Sequence, residues 1–240
     1  MLVEICLPAY NEEPILKENI TMLLDFVKKQ NWFFNIQITV VLNNCSDKSL
    51  EIIRDLSRKH PEVMYYNLKK IGKGNAVKYA WQKSQADIFA YMDVDLAVSL
   101  ENINNLLASI YLEKNHLVWG SRLLPLSQTK RGIIRTLSSK LYNLLSQIVL
   151  HHKFTDLQCG FKAIDNKIRE DILPLIKDDN WFFDTELIIY SKEKKYKLKE
   201  IPVNWEESRY KKRKSKIKPL KDAYLFFKKT LILAKKIKSK

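Results

Sequence analysis

Short apolar runs alternate with amphipathic stretches along the first half of the chain. Residues 3–8, 36–42, 63–68, 88–92 and 117–122 are apolar-rich runs of strand length with polar flanks. Between them, helical spacing predicts helices over about 14–29, 48–59, 72–84 and 100–113. Pro14 suits the first turn of the first helix. Ser46 or Asp47 suits the cap of the second, and Gly72-Lys73-Gly74 opens the third. This order of elements implies an α/β fold with a mostly parallel central sheet and helices on both faces. Polar residues collect just after each strand: Asn11, Asn43, Gly72, Asp93 and Arg122. In a parallel sheet those loops share one edge, and open α/β sheets bind ligands at that edge.

The second half is less regular. Residues 131–150 read as one long amphipathic helix, and 156–163 as a loop entering a short strand. Residues 167–176 look helical, and Trp181-Phe182-Phe183 leads into a further helix. Residues 199–205 form a late strand that Pro202 places at an edge. Near the end, Leu220, Ala223, Tyr224, Phe227, Leu231 and Ala234 keep helical spacing between lysines. That pattern is a basic amphipathic helix suited to lying on anionic lipid; docking on the rest of the protein is the alternative.

Composition adds the scale and the charge. The chain has 240 residues, 46 % hydrophobic and 29 % charged, which fits one large globular domain with an appendage. Its net charge is +15; residues 209–240 hold 14 Lys/Arg against Asp222, a net of +13, which leaves +2 for residues 1–208. The expected organisation is therefore a ligand-binding domain over 1–208 and a basic, membrane-associating segment over 209–240. Such a segment seeks an anionic partner. Tyr210, Tyr224, Phe226 and Phe227 are too few and too helical for base stacking, so the expected partner is a membrane surface and not nucleic acid. No apolar run approaches the ~20 residues of a spanning helix. No basic leader precedes the strand beginning at Leu2. Cys6, Cys45 and Cys159 match neither a metal-site spacing nor a disulfide framework, so a reducing, cytoplasmic setting is expected.

The candidate chemistry starts where Ile88-Phe89-Ala90-Tyr91-Met92 stops at Asp93-Val94-Asp95. Carboxylates are costly in a core unless paired or metal-bound, so both belong at the strand's C-terminal lip. Two hard oxygen ligands beside a phosphate suit Mg²⁺ or Mn²⁺. A solvated turn explains those three residues equally well; the convergence of the other loops makes them a site. Arg131, Arg135 and Ser139 follow i, i+4, i+8 spacing, with Asn143 continuing the row. On one helix face they would make a phosphate clamp, since arginine offers a planar fork to phosphate oxygens. An exposed basic face is the plainer alternative.

Six segments occur in a telling order: Leu7-Pro8-Ala9-Tyr10-Asn11-Glu12, Asp93-Val94-Asp95, Gly120-Ser121-Arg122, Gln158-Cys159-Gly160-Phe161-Lys162, Phe183-Asp184-Thr185-Glu186-Leu187 and Glu200-Ile201-Pro202-Val203-Asn204-Trp205. Together they resemble the family 2 glycosyltransferases of GT-A fold, and within these the dolichyl- and polyprenyl-phosphate sugar synthases. The resemblance covers about residues 2–209. It implies a nucleotide pocket lined by Pro8, Ala9, Tyr10, Glu12 and Asn43, with Lys73 near the donor. It implies that Asp93 and Asp95 meet the metal and the sugar diphosphate, and that Arg122 faces the phosphates. Arg131, Arg135 and Ser139 would take the acceptor phosphate. Relatives carry two aspartates where this chain has Asn43-Asn44; asparagine keeps an acceptor oxygen but loses the charge, which leaves UDP and GDP donors both open.

The implied reaction moves a hexose from a nucleotide-diphosphate sugar to a polyprenyl phosphate at the cytoplasmic membrane face, with inversion. A phosphate monoester is largely dianionic near neutrality and already a nucleophile, so positioning and charge neutralisation suffice. A glycan, lipid or protein hydroxyl acceptor would need a general base. Asp156 is the candidate to orient the acceptor or act as base; capping the Gln158-Cys159-Gly160 turn is its other reading. Asp184 and Glu186 resemble the pair that supports the site from behind, and equally fit a helix start with a first-turn acid.

Overall fold

Strict alternation builds the centre of the sheet. In β1 (Leu2–Ala9), Val3, Ile5 and Leu7 face one layer and Cys6 the other. In β4 (Ile88–Met92), Ile88, Ala90 and Met92 share the first layer, and Phe89 and Tyr91 the second. The computed structural model describes residues 1–206 and 219–238; side chains are described for these except Ile134 and residues 219–223. The chain runs β1, α1 (Glu13–Lys29), β2 (Asn35–Asn43), α2 (Ser49–Lys59), β3 (Val63–Leu68), α3 (Lys73–Lys83), β4, α4 (Asn102–Tyr111) and β5 (Leu117–Ser121). It continues through β6 (Gln128–Lys130), α5 (Ile133–Leu150), β7 (Phe161–Asp165), α6 (Asn166–Asp171), α7 (Phe183–Glu193), β8 (Leu198–Pro202), β9 (Asn204–Glu206) and α8 (Pro219–Lys238).

The main sheet has seven strands in the order β3-β2-β1-β4-β7-β5-β8. All neighbours are parallel except β7, which runs antiparallel between β4 and β5. The mostly parallel sheet with helices on both faces is thus present. Helices α1, α2 and α4 bury Leu16, Ile20, Ile53 and Leu106 on one face, and α3 and α7 bury Val77, Trp81, Phe183 and Leu187 on the other. The expected late strand is two: β8 ends the main sheet, and after Val203 β9 pairs with β6 in a separate two-stranded ribbon.

One expectation needs correction. Arg131 is not on the long helix, because Gly132 is extended (φ −61°, ψ 140°) and α5 begins at Ile133. Helix α8 packs one side against the preceding elements. Its Phe226 ring packs against Tyr142 and Phe182 at 5.2 and 5.8 Å, Thr230 and Leu233 are buried, and Lys229 pairs with Asp178. The basic run at 211–218 lies outside the described residues. No described helix is long and apolar enough to cross a membrane.

Helix α5 ends at His151, in the left-handed region at φ 49°, and buries His152 behind it. The Phe154 amide donates to His152 Nδ1 at 3.1 Å, while Nε2 meets Ser146 Oγ at 3.1 Å, an arrangement for the neutral ring. Burial, helped by Lys192, pulls the imidazole from 6.5 down to about 4. The unfolded chain therefore takes up this proton first. The fold keeps this contribution above pH ~6.5 and loses it progressively down to pH ~4, by up to about 3 kcal/mol. Thermal melts of wild type and His152→Gln between pH 7 and 4 check this: the variant should show the shallower pH dependence.

Candidate active site

The chain leaves β1 toward β2 and β3 on one side and returns to β4 on the other, so β1 and β4 flank a topological switch point. Ligands of open α/β sheets bind beyond the C-terminal ends of such strands. Of the predicted donor residues, Pro8 and Ala9 end β1 there, and Tyr10 and Glu12 follow it. Asn11 sits at φ 51°, and its side chain clasps the loop after β2: Ser46 N donates to Asn11 Oδ1 at 2.8 Å, and Asn11 Nδ2 donates to Ser46 Oγ at 3.2 Å. Asp47 accepts from the Glu13 and Ser49 amides at 2.9 and 3.1 Å, holding the first turns of two helices together. The N-cap position of α2 is Lys48, with no side-chain cap, so neither Ser46 nor Asp47 occupies the expected capping position. Ser49 Oγ accepts from the Glu12 amide at 3.2 Å. Tyr10 is exposed at this rim and Glu12 buried. Asn43, at the end of β2, is buried with its Oδ1 lacking a hydrogen-bond partner. A buried acceptor left unmade costs about 1–3 kcal/mol, which an N–H or O–H of a bound nucleoside would recover.

Beyond β4, alternating charges line the floor. Lys73 Nζ lies 2.8 Å from Asp93 Oδ1 and 4.0 Å from Asp184 Oδ2. Lys162 Nζ lies 2.9 Å from Asp184 Oδ1 and donates to the Leu157 and Cys159 carbonyls at 3.2 and 2.6 Å. Tyr91 donates its hydroxyl to Asp184 from beneath. Burial works against the charge on Lys73, but Asp93 and Asp184 outweigh it and hold the ammonium above its ordinary value. Lys73 is fixed because Gly72 takes φ 146° at the helix start, where a side chain would collide with the Asp179 carbonyl. Asp179 in turn pairs with Lys78 at 2.8 Å. Asp95 sits in the following turn, its Oδ1 accepting from the Ala97 amide at 3.2 Å.

Asp93 rests over Gly160, whose carbonyl accepts from the Asp93 amide at 3.1 Å. A Cβ on Gly160 would collide with the Asp93 carboxylate. Gly160→Ala should therefore displace that side chain and leave the sheet intact. An ångström-scale misplacement costs about 10²-fold, so kcat/KM should fall by that much with little change in Tm. A wild-type rate in this variant contradicts the placement.

The third part of the site is Arg122, just past β5. Its Nε and Nη2 donate to Asp156 Oδ2 and Oδ1 at 2.7 and 2.9 Å, and its guanidinium lies 4.8 Å over the Trp205 ring. Asp156 is fully buried and also accepts from the Arg122 and Gln158 amides, both at 3.1 Å. Burial alone would raise its carboxyl, yet the Arg122 guanidinium outweighs burial and holds it below the ordinary value. Asp156 thus keeps the turn-capping role and anchors Arg122; as a free base it is not available. Glu200 accepts from the Thr155 and Asp156 amides at 2.9 Å and fixes this loop from β8. Glu186 accepts from the Lys177 and Asp178 amides at 2.9 and 2.8 Å, so it supports the loop before α7 and does not reach the charge line that Asp184 joins.

The expected acceptor residues are brought together differently from their spacing. Arg131 reaches back from outside α5, and its Nη1 donates to Ser139 Oγ at 2.9 Å. Arg135 is on the helix and exposed. Asn143 joins this helix to the Asp156 loop, accepting from the Leu157 amide at 3.1 Å. Sequence reasoning assigned no role to Lys162, Glu200, Trp205 or Tyr91. The first three lay within the segments that carried the resemblance, and Tyr91 stood two residues before Asp93.

Residues 4–173 match the Glycosyl transferase family 2 model. Glycosyltransferase AglD of Haloferax volcanii is 27 % identical over 205 residues, 85 % of this chain and 33 % of the relative. Dolichyl-phosphate beta-glucosyltransferase ALG5C of Trichomonas vaginalis is 29 % identical over 211 residues, 83 % of this chain and 62 % of the relative. The chain therefore spans one third to about three fifths of the length of these relatives. Among solved structures, glucosyl-3-phosphoglycerate synthase of Mycobacterium tuberculosis in complex with UDP superposes with a TM-score of 0.68 at 15 % identity, over 97 % of this chain and 79 % of that one. The fold, the sequence segments at the switch point and the match over most of the chain agree: the chain belongs to glycosyl transferase family 2.

Proposed function

We propose that this chain transfers a hexose from a UDP- or GDP-sugar to a polyprenyl phosphate, with inversion, as a peripheral protein on the cytoplasmic face of a membrane. The observation that carries this reading is the engagement of the site's carboxylates. Asp156 is locked by Arg122, Asp184 by Lys162 and Tyr91, Asp93 by Lys73, and Glu200 by backbone amides. A hydroxyl acceptor needs a base to take its proton, whereas a phosphate monoester arrives as an anion. The site instead concentrates cations: Lys73, Arg122, Arg135 on the neighbouring helix and Arg131 just before its start.

Lys73 and Arg122 would neutralise the donor diphosphate from two sides. Asn43 Oδ1 would accept from the base or ribose, which suits uracil and guanine alike. Asp93 and Asp95 would hold a divalent ion: two hard carboxylates at a strand lip, beside a diphosphate, suit Mg²⁺ or Mn²⁺. Such an ion, when bound, would stabilise the charge developing on the leaving diphosphate. The same synthase fold has been solved with Mn²⁺ and UDP-glucose, and the Trichomonas relative is named for dolichyl phosphate and glucose. UDP-glucose with Mn²⁺ is accordingly the first donor and metal to assay.

Arg131→Ala and Arg135→Ala test the acceptor side. Each should raise KM for the lipid phosphate by about tenfold or more, the worth of a charge-assisted hydrogen bond, while KM for the nucleotide sugar stays within twofold. Equal weakening of both substrates, or of neither, removes the clamp.

A further inference from the structure

Helix α5 is turned inside out. Toward the protein it presents Asn143 and Ser146, both buried and hydrogen-bonded to the loop at 152–157. Toward the outside it presents Ile133, Leu137, Leu141, Leu144, Leu145 and Ile148, from 37 % exposed at Leu145 to 78 % at Ile133. A helix on the surface of a water-soluble domain has the opposite polarity. This stripe is also continuous with a second one. Ile148 and Val149 line a groove of about 390 Å³ together with Leu231 and Ala234 of α8, and Lys235 and Lys238 stand at its rim. Tyr224, Phe227 and Ile232 extend the exposed apolar surface along α8.

We propose that α5 and α8 together form one lipid-docking face, with the α5 stripe entering the acyl region of an anionic leaflet and the lysines meeting its headgroups. The inference deepens the proposed membrane reaction and rests on that reading for its purpose. Charge selects the occupant. Helix α5 contains no acidic residue, and residues 209–240 carry 14 Lys/Arg against one aspartate. A second copy of the chain would bring the same positive charge to the same face, whereas an anionic leaflet complements it. An apolar stripe rimmed by lysines on exposed helices is the form that lies in a membrane interface. The face also adjoins the proposed acceptor residues, since Arg135 and Ser139 lie in the N-terminal half of this same helix and Arg131, just before it, donates to Ser139.

The test is co-sedimentation of the full chain with vesicles of phosphatidylcholine alone and of phosphatidylcholine with phosphatidylserine, at low and high salt, with no prenyl phosphate present. Wild type should sediment with the anionic vesicles, and high salt should weaken binding without abolishing it, because the apolar share is not screened. Leu141→Glu with Leu144→Glu should lower partitioning by at least about tenfold, since each leucine withdrawn from lipid is worth about a decade or more. Both side chains are exposed, and unchanged Tm would show that the fold is intact. Equal sedimentation of variant and wild type, or no binding by wild type, overturns the proposal. A wild-type dimer in sedimentation velocity that the variant dissolves, with vesicle binding unmoved, overturns it in favour of a contact between copies. A short-chain, water-soluble prenyl phosphate separates this result from the reaction. Both proteins should glycosylate it alike; failure of both would remove the proposed reaction while leaving the vesicle result standing.

Discussion

Asp95→Asn is expected to reduce transfer by about 10³-fold or more, the several kcal/mol that a lost metal ligand removes from transition-state stabilisation. Its stability should stay within about 1 kcal/mol of wild type, as for most substitutions outside the core. Asp95 lies in the turn beyond β4, half-buried, with Oδ1 accepting from the Ala97 amide at 3.2 Å. Asparagine retains that acceptor, so the turn survives while the charge is lost. Initial rates with Mg²⁺ and with Mn²⁺ decide the matter. Comparable rates for variant and wild type with both ions would remove Asp95 from any metal role.

Asp184→Ala should be the most destabilising single change at the site. Asp184 is buried between Lys162, Lys73 and the Tyr91 hydroxyl, and Lys162 is fully buried. Removing one partner of a buried pair strands the other charge at a cost of about 3–5 kcal/mol. At about 2–4 °C per kcal/mol for a domain of this size, Tm should fall by roughly 10 °C. Adding Lys162→Met to Asp184→Ala should recover a large part of that loss, because the stranded ammonium is gone. A near-normal Tm for Asp184→Ala alone would show that the Lys162 ammonium is satisfied by the Leu157 and Cys159 carbonyls without the carboxylate.

The first half of the fold is legible in the sequence because each element there carries its own period. Short apolar runs mark β1, β2 and β4, and the turn residues between them fix the order. The converging loop residues follow from that order, and with them Asp93, Asp95, Lys73 and Asn43 at one edge. What stayed hidden depends on partners far along the chain. A five-residue run such as 161–165 carries no direction, so the antiparallel set of β7 appears only when it is paired with β4 and β5. The clamp by Glu200 acts across 44 and 45 residues, and the Arg122–Asp156 fork across 34. Spacing alone treats Arg131 and Arg135 as one helix row, which holds only if the helix has begun; the extended Gly132 delays it. Periodicity also shows that α5 is amphipathic without showing which face turns inward. That depends on Asn143 and Ser146 finding polar partners in the loop at 152–157.

Acceptor discrimination tests the central claim most directly. The 240-residue chain is incubated with labelled UDP-glucose, then with other UDP- and GDP-hexoses, in Mn²⁺ or Mg²⁺, against a polyprenyl phosphate and the matching polyprenol. Label in the organic phase is the readout. Organic-phase label with the phosphate, dependent on the divalent ion and absent with the alcohol, is the predicted result. Equal or greater label on the polyprenol would mean that a base takes a hydroxyl proton in this site, and would contradict the account.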